Sequence, residues 1–228
     1  FVDLNTSTPI DKTLLTLFGN RDPLSVAAKE TIGDNPLYAI DEFNLDSNQY
    51  IGFDMINDSV SKSGNAVLTL NMVKNMLVRF ALGESGTKKK FDKMYPPGSA
   101  GYDRLLREFK EYLQLVFQKV EPFMKIKQAG VHIVPTLRDT SVSLSGAGLY
   151  ILANMGYLAR ESTLGYEEVA TRLGQLEWKR EVLTPNGKEY NPLFRSGILN
   201  ESGNISNNRS AHVSTLRAVL NAIGMSEE

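Results

Sequence analysis

A mainly α-helical fold with a few short strands is what this sequence predicts, and three observations predict it. Tyr102, Leu105, Leu106, Phe109, Tyr112, Leu113, Val116, Phe117 and Val120 recur at helical spacing for five turns, the pattern of a long helix with one buried face. Asp22-Pro23 supplies a capping acid followed by proline at the first helical position, while Gly33, Gly83 and Gly224 fall just past apolar-periodic stretches, where glycine ends helices. At 228 residues, 42% of them hydrophobic, the chain makes one large or two small globular domains, long enough to take roughly two-thirds of its unfolded surface out of water.

Taken in order, residues 1–5 alternate apolar and polar side chains and read as a short strand whose partners lie upstream, as in a piece of a longer chain. After Asp22, Leu24, Ala27, Ala28 and Ile32 keep helical spacing up to Gly33. Residues 34–64 mix turn formers with two β-like pieces, 38–43 and 50–55. A second helix spans 69–82, with Leu70, Val73, Leu77 and Phe80 on one face. Residues 84–101 contain Gly, Ser, Pro-Pro and Lys88-Lys89-Lys90 in no periodic order, and read as a flexible linker between a portion 1–83 and a helical domain 102–228. Pro122 ends or kinks the long helix. Residues 131–134 read as a strand, and 144–158 and 165–173 as helices. Gly146, Gly148 and Gly156 weaken the first of these or admit a close neighbour. Residues 181–203 form a polar loop, and a last helix over 208–223 buries Val213, Leu216, Leu220 and Ile223.

Composition excludes several functions. Without cysteine there is no disulfide, thiolate metal site or cysteine nucleophile, which fits a reducing, cytoplasmic setting. Two histidines far apart in sequence leave little for a metal centre. The run 147–159 is well short of the ~20 apolar residues of a membrane span, and residues 1–5 have no signal-peptide character. Gly83-Glu84-Ser85-Gly86-Thr87-Lys88 has the wrong spacing for a phosphate-binding loop and follows a helix. No nucleophile elbow occurs, and the adjacent acids Asp41-Glu42 and Glu167-Glu168 suit solvated surface better than catalysis. None of these patterns argues for catalysis or for a cofactor.

The net charge of −1 hides an asymmetry: residues 1–60 hold ten acids against three bases, a balance of −7, which leaves +6 for the rest. Such a split permits a polyanion-binding face. Between Arg172 and Arg217 lie seven basic residues and four acids. The candidates for phosphate contact are Lys62, Arg172, Lys179, Arg180, Arg195, Arg209 and Arg217, with Asn208 and His212 beside them. The triplets at Asn5, Asn57, Asn200, Asn204 and Asn208 read first as turn and capping residues, although an Asn/Ser-rich helix start also attracts anions. Trp178, the single tryptophan, reads as a core anchor.

The order Phe1-Val2-Asp3-Leu4-Asn5, Lys12-Thr13-Leu14-Leu15, Arg21-Asp22-Pro23-Leu24-Ser25, then Ser61-Lys62-Ser63 and Leu68-Thr69-Leu70, resembles the DGQHR-domain proteins, specifically their DndB-like group associated with DNA sulfur modification. Trp178-Lys179-Arg180, Gly197-Ile198, Gly203-Asn204-Ile205-Ser206, Asn208-Arg209 and Leu220-Asn221-Ala222-Ile223-Gly224 are similar to that group's ending. The resemblance implies the rear of a ParB/sulfiredoxin-like α+β core followed by a helical C-terminal domain. The signature Asp-Gly-Gln-His-Arg itself does not occur here. It further implies a DNA-binding transcriptional regulator of phosphorothioation genes, with promoter duplex DNA and other modification proteins as partners; a homodimer would suit symmetric DNA. Two other readings stand beside it. One is a nucleotide-binding or hydrolysing component, with Asp3 and Asn5 at the edge of its pocket. The other is a scaffold that uses the long helix from Tyr102.

Overall fold

The computed structural model describes residues 22–33, 52–54, 57–185 and 187–225 of the chain, and within them the fold is mainly helical with two short strand pairs. The expected strand at 1–5 and the β-like piece at 38–43 lie outside the described residues, and with them much of the ParB-like part of the expectation.

Helix α1 (Pro23–Gly33) begins where the sequence signals it. The Asp22 carboxylate accepts from Leu24 N at 3.2 Å and from the Ser25 hydroxyl at 2.6 Å. Strand β1 (Phe53–Asp54) pairs in parallel with β2 (Leu68–Thr69), Phe53 opposite Leu68. Thr69 then turns the chain into α2 (Leu70–Leu82), its hydroxyl accepting from Met72 N at 3.1 Å. Gly83, at φ 71°, closes that helix.

The span expected as a linker carries a helix, α3 (Lys88–Met94), capped by Thr87. Phe91 is fully buried, and Asp92 accepts from Leu24 N at 3.2 Å, so α3 seats on the start of α1. One buried ring in seven residues leaves no period to read, and the Thr87 cap is the only local signal. Helix α4 (Ala100–Lys119) is the predicted long helix, with Ser99 as its cap. The break comes at Val120, and Pro122 falls in the first turn of α5 (Glu121–Ala129), where its missing N–H costs nothing.

Two segments differ from the sequence expectation. Residues 131–134 do not form a strand: a 3₁₀ turn (Val131–Ile133) leads into α6 (Val134–Thr140). Gly130 at φ 94° ends α5, Pro135 suits the first turn of α6, and three apolar residues around His132 are too few to separate strand from helix. Residues 181–203 are not one loop, because β3 (Glu181–Thr184) and β4 (Gly187–Tyr190) form an antiparallel hairpin and α9 (Pro192–Arg195) follows; α7 (Gly146–Glu161) and α8 (Gly165–Gly174) precede them. The hairpin rests on turn chemistry around Pro185 and Gly187 rather than on hydrophobic alternation.

Helix α7 runs through the middle of the molecule, packed against α2, α4 and α8 and against the last helix, α10 (Arg209–Ala222). Phe80 of α2 sits among Phe109, Tyr112 and Tyr166, with ring centroids 5.1, 5.7 and 5.9 Å away. Gly156 makes this possible: a Cβ there would lie 2.6 Å from both the Phe80 and Tyr112 rings. Trp178 is the core anchor expected, its indole N–H donating to Leu173 O at 2.8 Å beside the Phe194 ring. One continuous cluster of buried side chains extends from Leu24 to Ile223.

Candidate nucleic-acid interface

Helix α10 is built by its cap. The Asn208 Oδ1 accepts from Ala211 N at 2.8 Å, while its amide donates to the Ser206 hydroxyl at 2.8 Å. Asn200 does similar work in the preceding turn, accepting from Ser202 N and Asn204 N. The capping reading of these Asn-x-Ser triplets therefore holds for both. At the other end, Gly224 at φ 69° and a bond from Met225 N to Leu220 O at 2.8 Å stop the helix.

Which face α10 buries differs from the hydrophobic pattern. Ala211, His212, Thr215, Val219 and Leu220 are inside, and Val213 and Leu216 are half-buried. The inner face includes two polar residues because each finds partners there. The Thr215 hydroxyl accepts from Ile198 N at 2.9 Å, which locks the segment after α9 onto α10. His212, 2% exposed, joins a buried polar cluster.

That cluster ties α10 to α2 and α7. Glu84 lies 3.4 Å from His212 Nδ1 and 3.5 Å from Arg79 Nε, and accepts from the Asn154 amide at 2.7 Å. His212 Nε2 is 2.9 Å from Asn207 Oδ1, just before the cap, and the Arg79 guanidinium lies 4.5 Å from the centre of the Tyr150 ring. Burial pushes the Glu84 carboxyl up, but the His212 hydrogen bond, the Arg79 charge and Asn154 outweigh it, and the carboxyl is held below its usual range. Glu84 thus faces Arg79 of α2, Asn154 of α7 and His212 of α10, so the cluster links the three helices. His212, named as a candidate beside the phosphate-contacting residues, lies on the buried side of α10.

The outer face of α10 is a different surface. Arg209, Ser210, Ser214, Arg217 and Asn221 are exposed and fall within an arc of roughly 140° at ~100° per residue. The helix contains no acidic residue. Arg209 stands at its first position, where the macrodipole favours an acid, so this residue works against local helix stability. Neither Arg209 nor Arg217 has a hydrogen bond or ion pair among the described residues. The rise of ~1.5 Å per residue separates the two by roughly 12 Å along the axis. Arg195 is exposed on α9, which packs on α10.

The other candidates are spread further. Arg172 pairs with Glu168 at 2.7 Å and donates to Ile223 O at 2.9 Å, covering the C-terminal end of α10. Lys179 is exposed but paired with Glu177 at 3.0 Å. Arg180 is half-buried and donates to Arg138 O at 3.1 Å, and burial lowers its pKa. Lys62 is exposed on a loop clamped by Arg138, a residue the sequence reading missed. The Arg138 guanidinium, 6% exposed, donates to the carbonyl oxygens of Ser61 at 2.5 Å and Gly64 at 3.0 Å, and also to that of Ala66. An arginine between Leu137 and Asp139 on a helix of seven residues gives no sequence sign of this. The structure thus places Asn208 at the cap of α10, Arg209 and Arg217 on α10 and Arg195 on the adjoining α9, and puts Lys62 and Arg180 around Arg138.

Among the described residues no group of three or more His, Cys, Asp or Glu side chains could hold a metal, and no helix is long and apolar enough to cross a membrane. A cationic, hydroxyl- and amide-bearing helix face can bind phosphates, because these side chains donate to phosphate oxygens. A family model described as DndB, DNA-sulfur modification-associated, matches residues 1–226. Neither the curated proteins nor the solved structures contain a match.

Proposed function

Because the chain belongs to the DndB family, associated with DNA-sulfur modification, we propose that it is a DNA-binding regulatory or accessory protein of phosphorothioate modification, acting on the promoter of the modification genes. The observation that carries this reading is the outer face of α10, which has two arginines without a partner among the described residues, no acid, and Arg209 where helix stability alone would favour an acid. In this role Arg209 and Arg217 contact phosphates, and Ser214 and Asn221 donate further bonds along the same face, while the Ser210 hydroxyl donates to Asn208 Oδ1 at 2.7 Å and so belongs to the cap. Arg195 extends the surface from α9. Arg172, Asn208 and His212 support that surface from behind: they cover the C-terminal end of the helix, cap its start and tie it to α2 and α7.

The test is a binding titration with a labelled duplex from the promoter of the modification genes, challenged with unlabelled promoter and unlabelled random duplex. The reading predicts that promoter duplex competes at least tenfold better. Equal competition would reduce the protein to a nonspecific DNA binder, and an absence of binding to either duplex would remove DNA recognition from this chain.

A further inference from the structure

Away from the basic face, Lys90, Tyr95, Arg104, Glu108, Tyr157 and Arg160 border a cleft of about 540 Å3. That volume falls within the range of small-molecule sites. The cleft lies between α3, the first half of α4 and the C-terminal ends of α2 and α7, where Ala81, Leu82 and Leu105 add apolar lining. None of the phosphate-contact candidates discussed above takes part in it.

Glu108 accepts from Arg104 Nε at 2.6 Å and from the Tyr166 hydroxyl at 3.3 Å. Glu161 lies 3.4 Å from Arg160 Nε, and Arg160 Nη2 donates to Ala81 O at 2.8 Å. Both acids of the cleft are therefore already engaged. The Lys90 ammonium and the hydroxyls of Tyr95 and Tyr157 have no partner among the described residues, and all three can donate. The two rings are held in place. Tyr95 packs on Phe91 at 5.4 Å, and Tyr157 lies against Gly83, where a Cβ would approach its ring to 3.1 Å. Met94, half exposed, adds a soft apolar edge.

Unmatched donors beside fixed aromatic rings, with three cations against two engaged acids, call for a ligand that combines a multiply charged acceptor with a flat apolar body. We propose that this cleft binds an aryl phosphate monoester. Its phosphate takes the Lys90 ammonium and the tyrosine hydroxyls, and its ring packs on Tyr95, Tyr157 and Met94. The inference is independent of the DNA reading, because the two surfaces share no residue.

Calorimetric titration of the full chain tests it, with phenyl phosphate as the probe and inorganic phosphate and phenol as its separate halves. Phenyl phosphate is expected to bind at least tenfold tighter than either half. Lys90→Gln is expected to weaken it about tenfold and Tyr95→Phe several-fold, with the melting temperature of each variant, measured without ligand, unchanged. Absence of binding at millimolar phenyl phosphate overturns the proposal, as does wild-type affinity in Lys90→Gln. Equal binding of phenol overturns the anion part, and equal binding of inorganic phosphate the ring part.

Discussion

Asp22 caps α1 and at the same time pairs with Lys88 at 2.7 Å and Lys74 at 3.6 Å. Burial pushes its carboxyl up, but the hydrogen bonds from Lys88 and Ser25 and the two lysine charges outweigh it, so the pKa falls from 3.8 to about 2. A carboxyl that is more acidic in the folded state stabilises the fold when ionised. That contribution is complete above about pH 4 and is lost as the pH falls toward 2. Asp92, raised by burial and by the Asp22 charge, offsets part of it. Urea denaturation at a series of pH values should therefore show Asp22→Asn to be less stable than wild type at neutral pH, with a flatter loss between pH 4 and pH 2. A variant curve parallel to that of wild type would mean the ion pairs contribute nothing to folding. The cap at Asp22 was readable from Asp-Pro alone, whereas its lysine partners were not, because Lys74 and Lys88 approach it only through the packing of α1, α2 and α3.

Gly156 sets the spacing of three helices, since α7 meets the Phe80 and Tyr112 rings at a point where even a methyl group collides. Gly156→Ala gains helix propensity, up to ~1 kcal/mol. It also forces rings apart in a close-packed core, at about 1–3 kcal/mol. A net destabilisation of up to about 2 kcal/mol is expected, seen as a lower urea midpoint at unchanged slope. A midpoint at or above wild type would show that the rings adjust freely. Helices with many regularly spaced apolar residues, α2, α4 and α7, were legible in the sequence because periodicity accumulates over their length. The shorter elements α3, α6 and the β3–β4 hairpin were not, since a turn or two of helix or four strand residues leave too little period. Helix α10 shows a third case: its place was legible but its rotation was not, because His212 and Thr215 are buried by partners distant in sequence, Glu84 and Ile198.

Across the whole molecule, the buried cluster runs without a break from α1 through α3 and α4 to α10. Such a core should unfold in one cooperative transition, with near-ultraviolet and far-ultraviolet circular dichroism melting together. Two separated transitions would instead support a division near residues 84–101. The basic candidates were visible as residue types in the sequence, but their sorting was not. Arg172 and Arg180 are engaged in structural hydrogen bonds, while Arg209 and Arg217 are exposed together on one acid-free face. DNA contact through that face is tested by the salt dependence of duplex binding by wild type and by the Arg209→Ala/Arg217→Ala double variant. Each phosphate contact contributes about 0.9 to the slope of log K against log salt. The double variant should bind more weakly on every duplex, with a slope smaller by about two units. A double variant with wild-type affinity and slope would contradict the assignment of α10 as the DNA-contacting helix.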